Sequence, residues 1–354
     1  MITLGIETSC DETSVGILNE NGHLLTNVVA TQVDLHARYG GIVPEIASRQ
    51  HVLNIEPVTT AALSSSALRL SDISLIAVTY GPGLAGSLIV GLNFAKGLAS
   101  SLGIPFVPVN HLEGHIWAAW ITTDSFSPDI KSDYNYDEKF PKPLLCLIVS
   151  GGHTELVLMH GHGEFTLIGE TKDDAVGEAF DKVARVLGLR YPGGPEIQKI
   201  SMYSNEDIEP FPRAWMPGTF SFSFSGLKTA VINRAKDFGF YPYRKSDDPP
   251  EKRVLANFAK AFQDSIIDVI VKKTILAGSH YDCGGIVMVG GVAANSALRN
   301  MLIESSKLPV YVPPVDLCTD NGAMIGAAAF FNLQNGLPSE LDMDAVPNLR
   351  IGLT

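Results

Sequence analysis

Residues 2–18, ITLGIETSCDETSVGIL, consist of two apolar runs separated by a short turn of hydroxyl and acidic side chains. Alternating runs joined in this way predict a β-hairpin whose turn exposes backbone N–H groups and hydroxyls. Residues 144–159, LLCLIVSGGHTELVLM, have the same form, with Ser-Gly-Gly-His-Thr at the turn. The repeated pattern predicts two lobes, each beginning with a strand pair that carries a polar turn.

A third glycine turn follows an apolar run in GGIVMVGGVAANSALRNML, residues 284–302, and is predicted to open directly into a helix. Free amides at a helix start carry partial positive charge and suit a phosphate group. One glycine turn is weak evidence, because most are merely turns. Three in this order indicate an α/β chain with the duplicated, two-lobed actin-like and sugar-kinase-like ATPase (ASKHA) fold and a central interlobe cleft.

The domain organisation follows from the same pattern, since a chain of 354 residues exceeds the usual size of a single core. We assign residues 1–122 plus 315–354 to an N-terminal lobe and 143–314 to a C-terminal lobe. Residues 122–143 are polar, acidic and bounded by proline, and we predict an interlobe loop there. Residues 241–252 are charged and contain two prolines, which predicts a second loop.

Two long helices are predicted within the C-terminal lobe. Residues 174–187 place Val176, Phe180, Val183 and Leu187 on one stripe, and Gly188 is suited to end the helix. Residues 254–276 carry apolar side chains at similar spacing, namely Leu255, Phe258, Phe262, Ile266 and Val269.

Composition narrows the class of protein. The net charge of −12 argues against a chain that binds nucleic acid unaided, although it leaves room for a local basic patch or a basic partner. The four cysteines are widely spaced, as in a reducing compartment. The most apolar long stretch, residues 84–104, contains Lys96 with several Gly and Ser, and we predict a packed helix. No secretion signal or transit peptide is recognisable, so we expect a cytoplasmic protein that does not bind membranes, or an organellar one whose transit peptide has been removed.

A histidine pair stands in VNHLEGHIWAAWI, residues 109–121. His111 and His115 are four apart and share one face if the segment is helical. Such a pair is by default part of the packing. Asp320 lies where an extended proline segment becomes a helix, and its ordinary role there is an N-cap. If Asp320 instead faces the cleft, it completes a triad that suits zinc or iron(II) better than calcium or magnesium.

A zinc protease is the obvious competitor, and the spacing argues against it. Those enzymes need HExxH, with the glutamate directly after the first histidine. Leu112 occupies that place, and Glu113 lies roughly 200° around the helix from His111, facing away from a metal.

Three acids have two readings each. Asp11 and Glu12 are either solvated turn residues or groups that transfer a proton or orient a metal. We expect them at a hairpin tip where solvent satisfies them, so that alanine there costs little stability. Asp181 is either the polar edge of its helix, close to Lys182 and Arg185, or a site residue.

The chain resembles the TsaD family, the universal tRNA threonylcarbamoyladenosine transferases, in its bacterial and organellar branch. The resemblance covers nearly the whole chain and rests on motifs that occur in the family's order: GIETSCDET, GGIVPEIASRQH, NHLEGH, VSGGHTEL, GEAFDKVARVLGL, YPGGP, FSFSGLKTA, GGVAANSALR and CTDNGAMIG. It implies the two-lobed ATPase-like fold. It also implies that the exocyclic amine of the adenosine 3′ of the anticodon attacks a threonylcarbamoyl-adenylate and releases AMP.

The resemblance also implies roles for individual residues. The family's metal ligands match His111, His115 and Asp320, and the metal that the resemblance implies is iron(II) ahead of zinc. The acids implicated in turnover match Asp11 and Glu12. The family's substrate and adenylate contacts match Ile148, Val149, Ser150, Gly151, Gly152, Asp181, Gly194 and Asn295. The side chains are suitable, because Asp181 can accept from ribose hydroxyls, Gly194 admits close backbone approach and Asn295 both donates and accepts. Gln198 departs from the acid that many members carry.

Family membership further implies tRNA and protein partners. Bacterial relatives work with a TsaB-like and a TsaE-like chain, and organellar ones can act as homodimers. Two alternatives from other classes remain at this point. One is a metal-dependent, ATP-binding phosphotransferase of the same fold, and the other is a non-catalytic scaffold subunit.

Overall fold

The computed structural model describes residues 1–130, 140–204, 209–239, 241, 251–334 and 341–352. The chain divides into two compact units. The first unit comprises Met1–Pro141, Met159–Thr166 and Tyr311–Thr354, and the second comprises Lys142–Leu158 and Leu167–Val310. Within the described residues, no helix is both long enough and apolar enough to cross a membrane.

The first five strands form one mixed sheet. They are β1 (Ile2–Glu7), β2 (Glu12–Asn19), β3 (Leu24–Thr31), β4 (Leu75–Gly81) and β5 (Phe106–Asn110). Their order is β3-β2-β1-β4-β5, with β1 antiparallel to β2 and parallel to β4. The hairpin predicted at residues 2–18 is therefore present, with Glu7 paired to Ser14 beside the turn.

The helices of the first unit are α1 (Val33–Ala37), α2 (Pro44–Ser65), α3 (Ala85–Leu102), α4 (His111–Trp117), α10 (Val315–Cys318) and α11 (Gly322–Gln334). The apolar stretch at 84–104 is the packed helix α3, as predicted. Helix α11 lies directly on β1 and β2, because a Cβ at Gly5 would come within 2.2 Å of Gly322 O and a Cβ at Gly16 within 2.2 Å of Ala323 N. Glycine in these two strands thus sets how closely α11 approaches the sheet.

The second sheet repeats the strand order of the first. Its strands are β6 (Leu144–Val149), β7 (Thr154–Gly161), β8 (Glu164–Glu170), β9 (Gly285–Val289) and β10 (Val310–Tyr311). They are arranged β10-β9-β6-β7-β8, with β6 parallel to β9. In both sheets the first strand is central, its hairpin partners lie on one side and two later strands lie on the other. The predicted duplication is confirmed at the level of topology.

The helices of the second unit are α5 (Val176–Val186), α6 (Gly193–Ser201), α7 (Ser225–Asp237), α8 (Lys252–His280) and α9 (Ser296–Ser305). The predicted helices at 174–187 and 254–276 correspond to α5 and α8, and their predicted apolar stripes are buried. Gly188 follows α5 with φ +70°, a conformation that glycine adopts without strain. The prediction that residues 284–302 pass directly from strand to helix is wrong in one detail, because a 3-10 turn at Gly291–Ala294 intervenes.

The two predicted loops are described only in part. Of residues 122–143, Thr122 and Thr123 form isolated bridges with His23 and Phe126, and residues 131–139 lie outside the described residues. Of residues 241–252, residues 242–250 lie outside them and Lys252 already belongs to α8.

Candidate metal centre and substrate turns

Helix α4 begins immediately after strand β5. The side-chain oxygen of Asn110 accepts from Leu112 N at 2.9 Å and so caps the helix, while Asn110 Nδ2 donates to Arg350 O at 3.0 Å. Every residue of α4 is buried. The predicted helix therefore exists, and it presents His111 and His115 side by side with ring centroids 4.7 Å apart.

Asp320 is not the N-cap of helix α11, which was its ordinary interpretation. Asn321 takes that role, since its Oδ1 accepts from Met324 N at 3.0 Å. The Asp320 carboxylate lies beside the histidines, with Oδ1 3.1 Å from His115 Nε2 and 3.6 Å from His111 Nε2. One ligand atom from each of the three residues lies within 4.8 Å of the others.

These residues fit a transition metal. Both ring nitrogens of His115 are buried and make no hydrogen bond within the described part of the chain, although Nε2 lies near Asp320. A buried imidazole without hydrogen bonds is costly unless another ligand satisfies it. Two imidazoles and one carboxylate are a donor set typical of zinc or iron(II) with open positions.

Glu7, at the end of strand β1, orients His111. Its Oε2 lies 3.0 Å from His111 Nδ1, and its carboxylate also accepts from Ser9 N and from Thr79 Oγ1. Burial alone would raise the pKa of Glu7, but His111 outweighs it and lowers the pKa. Because the carboxylate can only accept, His111 carries its proton on Nδ1 and turns Nε2 towards Asp320. Sequence reasoning missed Glu7, although an acid ending a buried strand is an available signal.

The pKa of His111 is also shifted. Burial lowers this pKa, but the carboxylates of Glu7 and Asp320 raise it to about 9 in the metal-free chain. The ring is therefore cationic at neutral pH, and metal binding must displace a proton from Nε2.

Glu113 is not part of the cluster of potential ligands. It is buried elsewhere and accepts a hydrogen bond from the backbone of Gly352, and burial raises its pKa to about 7. The arrangement expected of an HExxH protease is thus not formed by this helix.

The first hairpin turn is more enclosed than expected. Asp11 is only 7% exposed, so the expectation of a solvated hairpin tip is wrong for it. Glu12 is half-buried, accepts from Thr31 Oγ1 at 3.0 Å and is hydrogen-bonded to Asp11. Burial, followed by the charges of Asp11 and Asp320, raises the pKa of Glu12 to about 10. The metal-free turn therefore holds at least one proton at neutral pH.

The turn after β6 leaves the backbone of its two glycines open to a ligand. Ile148 and Val149 are buried in the strand, Ser150 N donates to His153 O at 2.9 Å, and His153 N donates to Ser150 Oγ at 3.1 Å. A Cβ added at Gly151 or at Gly152 would meet nothing within 4 Å. Both glycines thus border open space, as a backbone that receives a ligand requires.

Helix α5 packs beneath this turn. Gly177 N donates to Ser150 O at 3.1 Å, and a Cβ at Gly177 would lie 2.7 Å from that oxygen. Asp181 Oδ1 accepts from Gly193 N at 2.6 Å, so this carboxylate anchors the start of α6. Lys182, which the sequence placed near Asp181, pairs with Asp174 and Glu178. Gly194 borders open space.

Asn295 caps helix α9 through Oδ1, which accepts from Leu298 N at 3.1 Å, and its Nδ2 donates to Gln263 Oε1 at 3.0 Å. Gln198 Oε1 accepts from Ser296 N at 2.8 Å. The departure at Gln198 therefore preserves an acceptor at the start of α9, which an acid would also supply. Asp181, Gly194, Asn295 and the Ser150 turn all belong to the second unit, whereas Asp11, Glu12 and the metal cluster belong to the first.

Comparisons with known proteins identify the family. The family profile described as TsaD, tRNA N6-adenosine threonylcarbamoyltransferase, matches residues 23–327. Proteins of that name from Dehalococcoides mccartyi and Thermomicrobium roseum are each 48% identical to the chain; 99% of the chain aligns with 99% and 96% of them, respectively. Component A of the Acidaminococcus fermentans (R)-2-hydroxyglutaryl-CoA dehydratase shares the fold, with a TM-score of 0.53, 13% identity and coverage of 94% of this chain and 97% of that one. The chain belongs to the tRNA N6-adenosine threonylcarbamoyltransferase family.

Proposed function

We propose that the chain transfers the threonylcarbamoyl group of a threonylcarbamoyl-adenylate to the adenosine 3′ of the anticodon, using a metal held by His111, His115 and Asp320. The transfer to N6 of a tRNA adenosine is the activity of the family, and the chain is a transferase of this kind. This activity decides against the phosphotransferase and scaffold alternatives. The observation that carries the metal proposal is the set of three donor atoms within 4.8 Å, two of them on buried imidazoles.

Both iron(II) and zinc suit imidazole and carboxylate ligands, and we propose iron(II) ahead of zinc because the family resemblance implies that order. When bound, such an ion supplies Lewis-acid polarisation of a carbonyl or phosphoryl oxygen. The chain's own residues orient the proposed ligands. Glu7 holds the tautomer and plane of His111, and Asn321 caps α11 so that Asp320 is available as a ligand.

The adenylate site is proposed at the turn of Ser150, Gly151 and Gly152, following Ile148 and Val149. Its support is the open space at both glycines and at Gly194, which lets a ligand approach backbone amides closely. The Asp181 carboxylate accepts from Gly193 N beside Gly194, and Asn295 Nδ2 keeps a second hydrogen beyond the one donated to Gln263 Oε1. These groups suit the hydroxyls and acceptors of a nucleotide.

Asp11 and Glu12 are proposed to accept and pass on the proton that the attacking amine loses. That amine is a poor nucleophile, because its lone pair is delocalised into the purine, and it loses a proton as it attacks. Glu12, with its pKa raised to about 10, donates a hydrogen bond at neutral pH in the metal-free chain. Within the hydrogen-bonded pair Asp11 is therefore the acceptor, and two neighbouring carboxyls that share one proton suit general acid–base work.

We propose that the chain works with TsaB-like and TsaE-like partner chains, or as a homodimer. Its net charge of −12 suits a subunit whose tRNA surface is completed by another chain. Val52 and Leu53 on α2 are 61% and 67% exposed, and Ile89 on the adjoining helix α3 is also exposed. Light scattering of wild type and Leu53→Glu, alone and with a TsaB-like chain, tests this face. An unchanged mass and affinity in the variant would exclude it.

The proposed function has a direct test. Purified protein is mixed with threonylcarbamoyl-adenylate and unmodified tRNA, and nucleosides are analysed for the modified adenosine. Elemental analysis of wild type, His115→Ala and the exposed-histidine control His160→Ala accompanies the assay. We expect about one metal per chain in wild type and the control and its loss in His115→Ala. Equal metal content in all three would remove the site from His115.

A further inference from the structure

The motif GGIVPEIASRQH, residues 40–51, has no part in the metal cluster or in the substrate turns. It begins at the left-handed Gly40, enters helix α2 at Pro44 and ends at His51. His51 is 0% exposed, although Val52 and Leu53 beside it face solvent. A buried imidazole needs partners for both ring nitrogens, and those partners show what the motif holds in place.

Both partners of His51 flank the two acids of the first turn. His51 Nε2 lies 3.0 Å from Cys10 O, and His51 Nδ1 lies 2.8 Å from Thr13 Oγ1. A carbonyl oxygen can only accept, so Nε2 carries the proton. Burial lowers the pKa of His51 and keeps the ring neutral, and Nδ1 therefore accepts from the Thr13 hydroxyl. The imidazole is thus hydrogen-bonded to the residue just before Asp11 and to the residue just after Glu12.

Gln32 makes a second link between the turn and residues 40–51. Gln32 N donates to Asp11 O at 3.0 Å, and Gln32 Nε2 donates to Ala47 O of α2. Gln32 Oε1 lies 3.1 Å from Nε2 of the buried His36, whose Nδ1 accepts from Val43 N. Two buried histidines with the same protonation pattern therefore join the motif to the turn.

Three successive carbonyls of the turn accept hydrogen bonds from outside it. Ser9 O accepts from Leu84 N at 2.8 Å, Cys10 O from His51 and Asp11 O from Gln32. Among these three donors only His51 is a side chain, so only this bond can be removed by substitution without altering a backbone.

We infer that His51 is a positioning residue that fixes the Asp11–Glu12 backbone so that the two carboxyls point where the transfer requires. The inference rests on the proposed role of these acids. When the bond to Cys10 O is lost, the turn gains freedom about the residues that carry both carboxyls. A displacement of about 1 Å in such a group costs up to roughly 100-fold in rate.

Two substitutions of similar size separate the role of the donor from that of the ring. In His51→Gln the side-chain amide nitrogen reaches the position of Nε2 and can still donate to Cys10 O. In His51→Asn it reaches only the position of Nδ1. We expect His51→Asn to lower kcat roughly 10- to 100-fold, with KM for threonylcarbamoyl-adenylate changed less than about twofold. Metal content should stay at the wild-type level, and His51→Gln should restore most of kcat.

Thr59→Val is the matched control. Thr59 is buried on the same helix, and its hydroxyl donates to Ile55 O within α2, away from the turn. It should lower Tm without lowering kcat. A kcat loss in Thr59→Val as large as that in His51→Asn, or a His51→Gln as impaired as His51→Asn, would overturn the inference and leave His51 a packing residue.

Double variants distinguish this inference from the role of the acids. If His51 acts through the turn, His51→Asn should add little to the loss already caused by Glu12→Ala, whereas independent effects multiply. Multiplying losses overturn the inference. Full activity in Asp11→Ala and Glu12→Ala overturns the proposed role of the acids, and the positioning role of His51 is then overturned as well. Activity lost in those two variants but intact in His51→Asn overturns only the role of His51.

Discussion

Glu7 Oε2 and His111 Nδ1 are 3.0 Å apart, and both side chains are buried. The pair makes the end of strand β1 a support for the proposed metal site, because the His111 ring can rotate only by breaking a charge-assisted hydrogen bond. Thr79 Oγ1 and Ser9 N donate to the same carboxylate, which fixes the orientation of Glu7.

Glu7→Gln should therefore weaken metal binding without removing a ligand. The amide is a poorer acceptor for His111 Nδ1–H, and its NH₂ group faces donors that need an acceptor. We expect zinc or iron(II) affinity to fall roughly 10- to 100-fold, measured by competition with a chromogenic chelator. Glu113→Gln, on the same short helix as the histidines, is the control and should bind like wild type. Equal affinities in Glu7→Gln and wild type would limit Glu7 to a folding role.

Gly152→Val should weaken nucleotide binding and leave the fold intact. A Cβ at this position meets nothing within 4 Å, so valine is accommodated by the protein but occupies the space of the ligand. Loss of one hydrogen bond to a phosphate, about 1.5–3 kcal/mol, predicts at least about tenfold weaker AMP binding by calorimetry. Gly177→Val is the contrasting variant, since its side chain would collide with Ser150 O and lower Tm. Wild-type affinity in Gly152→Val would move the nucleotide elsewhere.

The burial of Glu113 predicts a pH-dependent stability. Its pKa rises from the ordinary 4.5 to about 7, so the folded chain holds this proton more tightly than the unfolded chain does. The stabilisation is complete below pH 4.5 and is lost as the pH rises through 7. Glu113→Gln should thus gain stability relative to wild type between pH 5 and pH 8, by up to about 3 kcal/mol. Urea unfolding at both pH values measures the difference, and a pH-independent difference would contradict the assignment.

Glu12→Gln should separate chemistry from folding better than alanine does. At neutral pH the Glu12 carboxyl is protonated in the metal-free chain, so glutamine replaces it in shape and charge and Tm should not fall. The shared proton is lost, and formation of modified adenosine should decrease roughly 10²- to 10⁴-fold. Asp11→Ala, in contrast, empties a buried position and should also lower Tm. A Glu12→Gln enzyme with the wild-type rate would exclude proton transfer at this pair.

Much of the fold is readable from local patterns. The hairpins at residues 2–18 and 144–159 and the helices α5 and α8 follow from alternation and 3.6-residue periodicity. The proximity of His111 and His115 on α4 follows from their four-residue spacing. The roles of Glu7 and His51 depend on partners far apart in sequence, which no local pattern reports. The cap of α11 is a local feature, and the sequence offered it at Asp320, one residue before Asn321. The burial of Asp11 belongs to the same class, since α2 and β3 enclose a turn that resembles an exposed hairpin tip in sequence.

The close packing of α11 on Gly5 and Gly16 has a consequence for biogenesis. His111 and His115 emerge early in synthesis, whereas Asp320 comes from a helix near the other end of the chain and is delivered only when that helix docks on the first hairpin. A nascent or truncated chain can therefore expose two histidines but cannot close the three-ligand set. At the proposed site, metal binding therefore requires that the N-terminal sheet has already received helix α11.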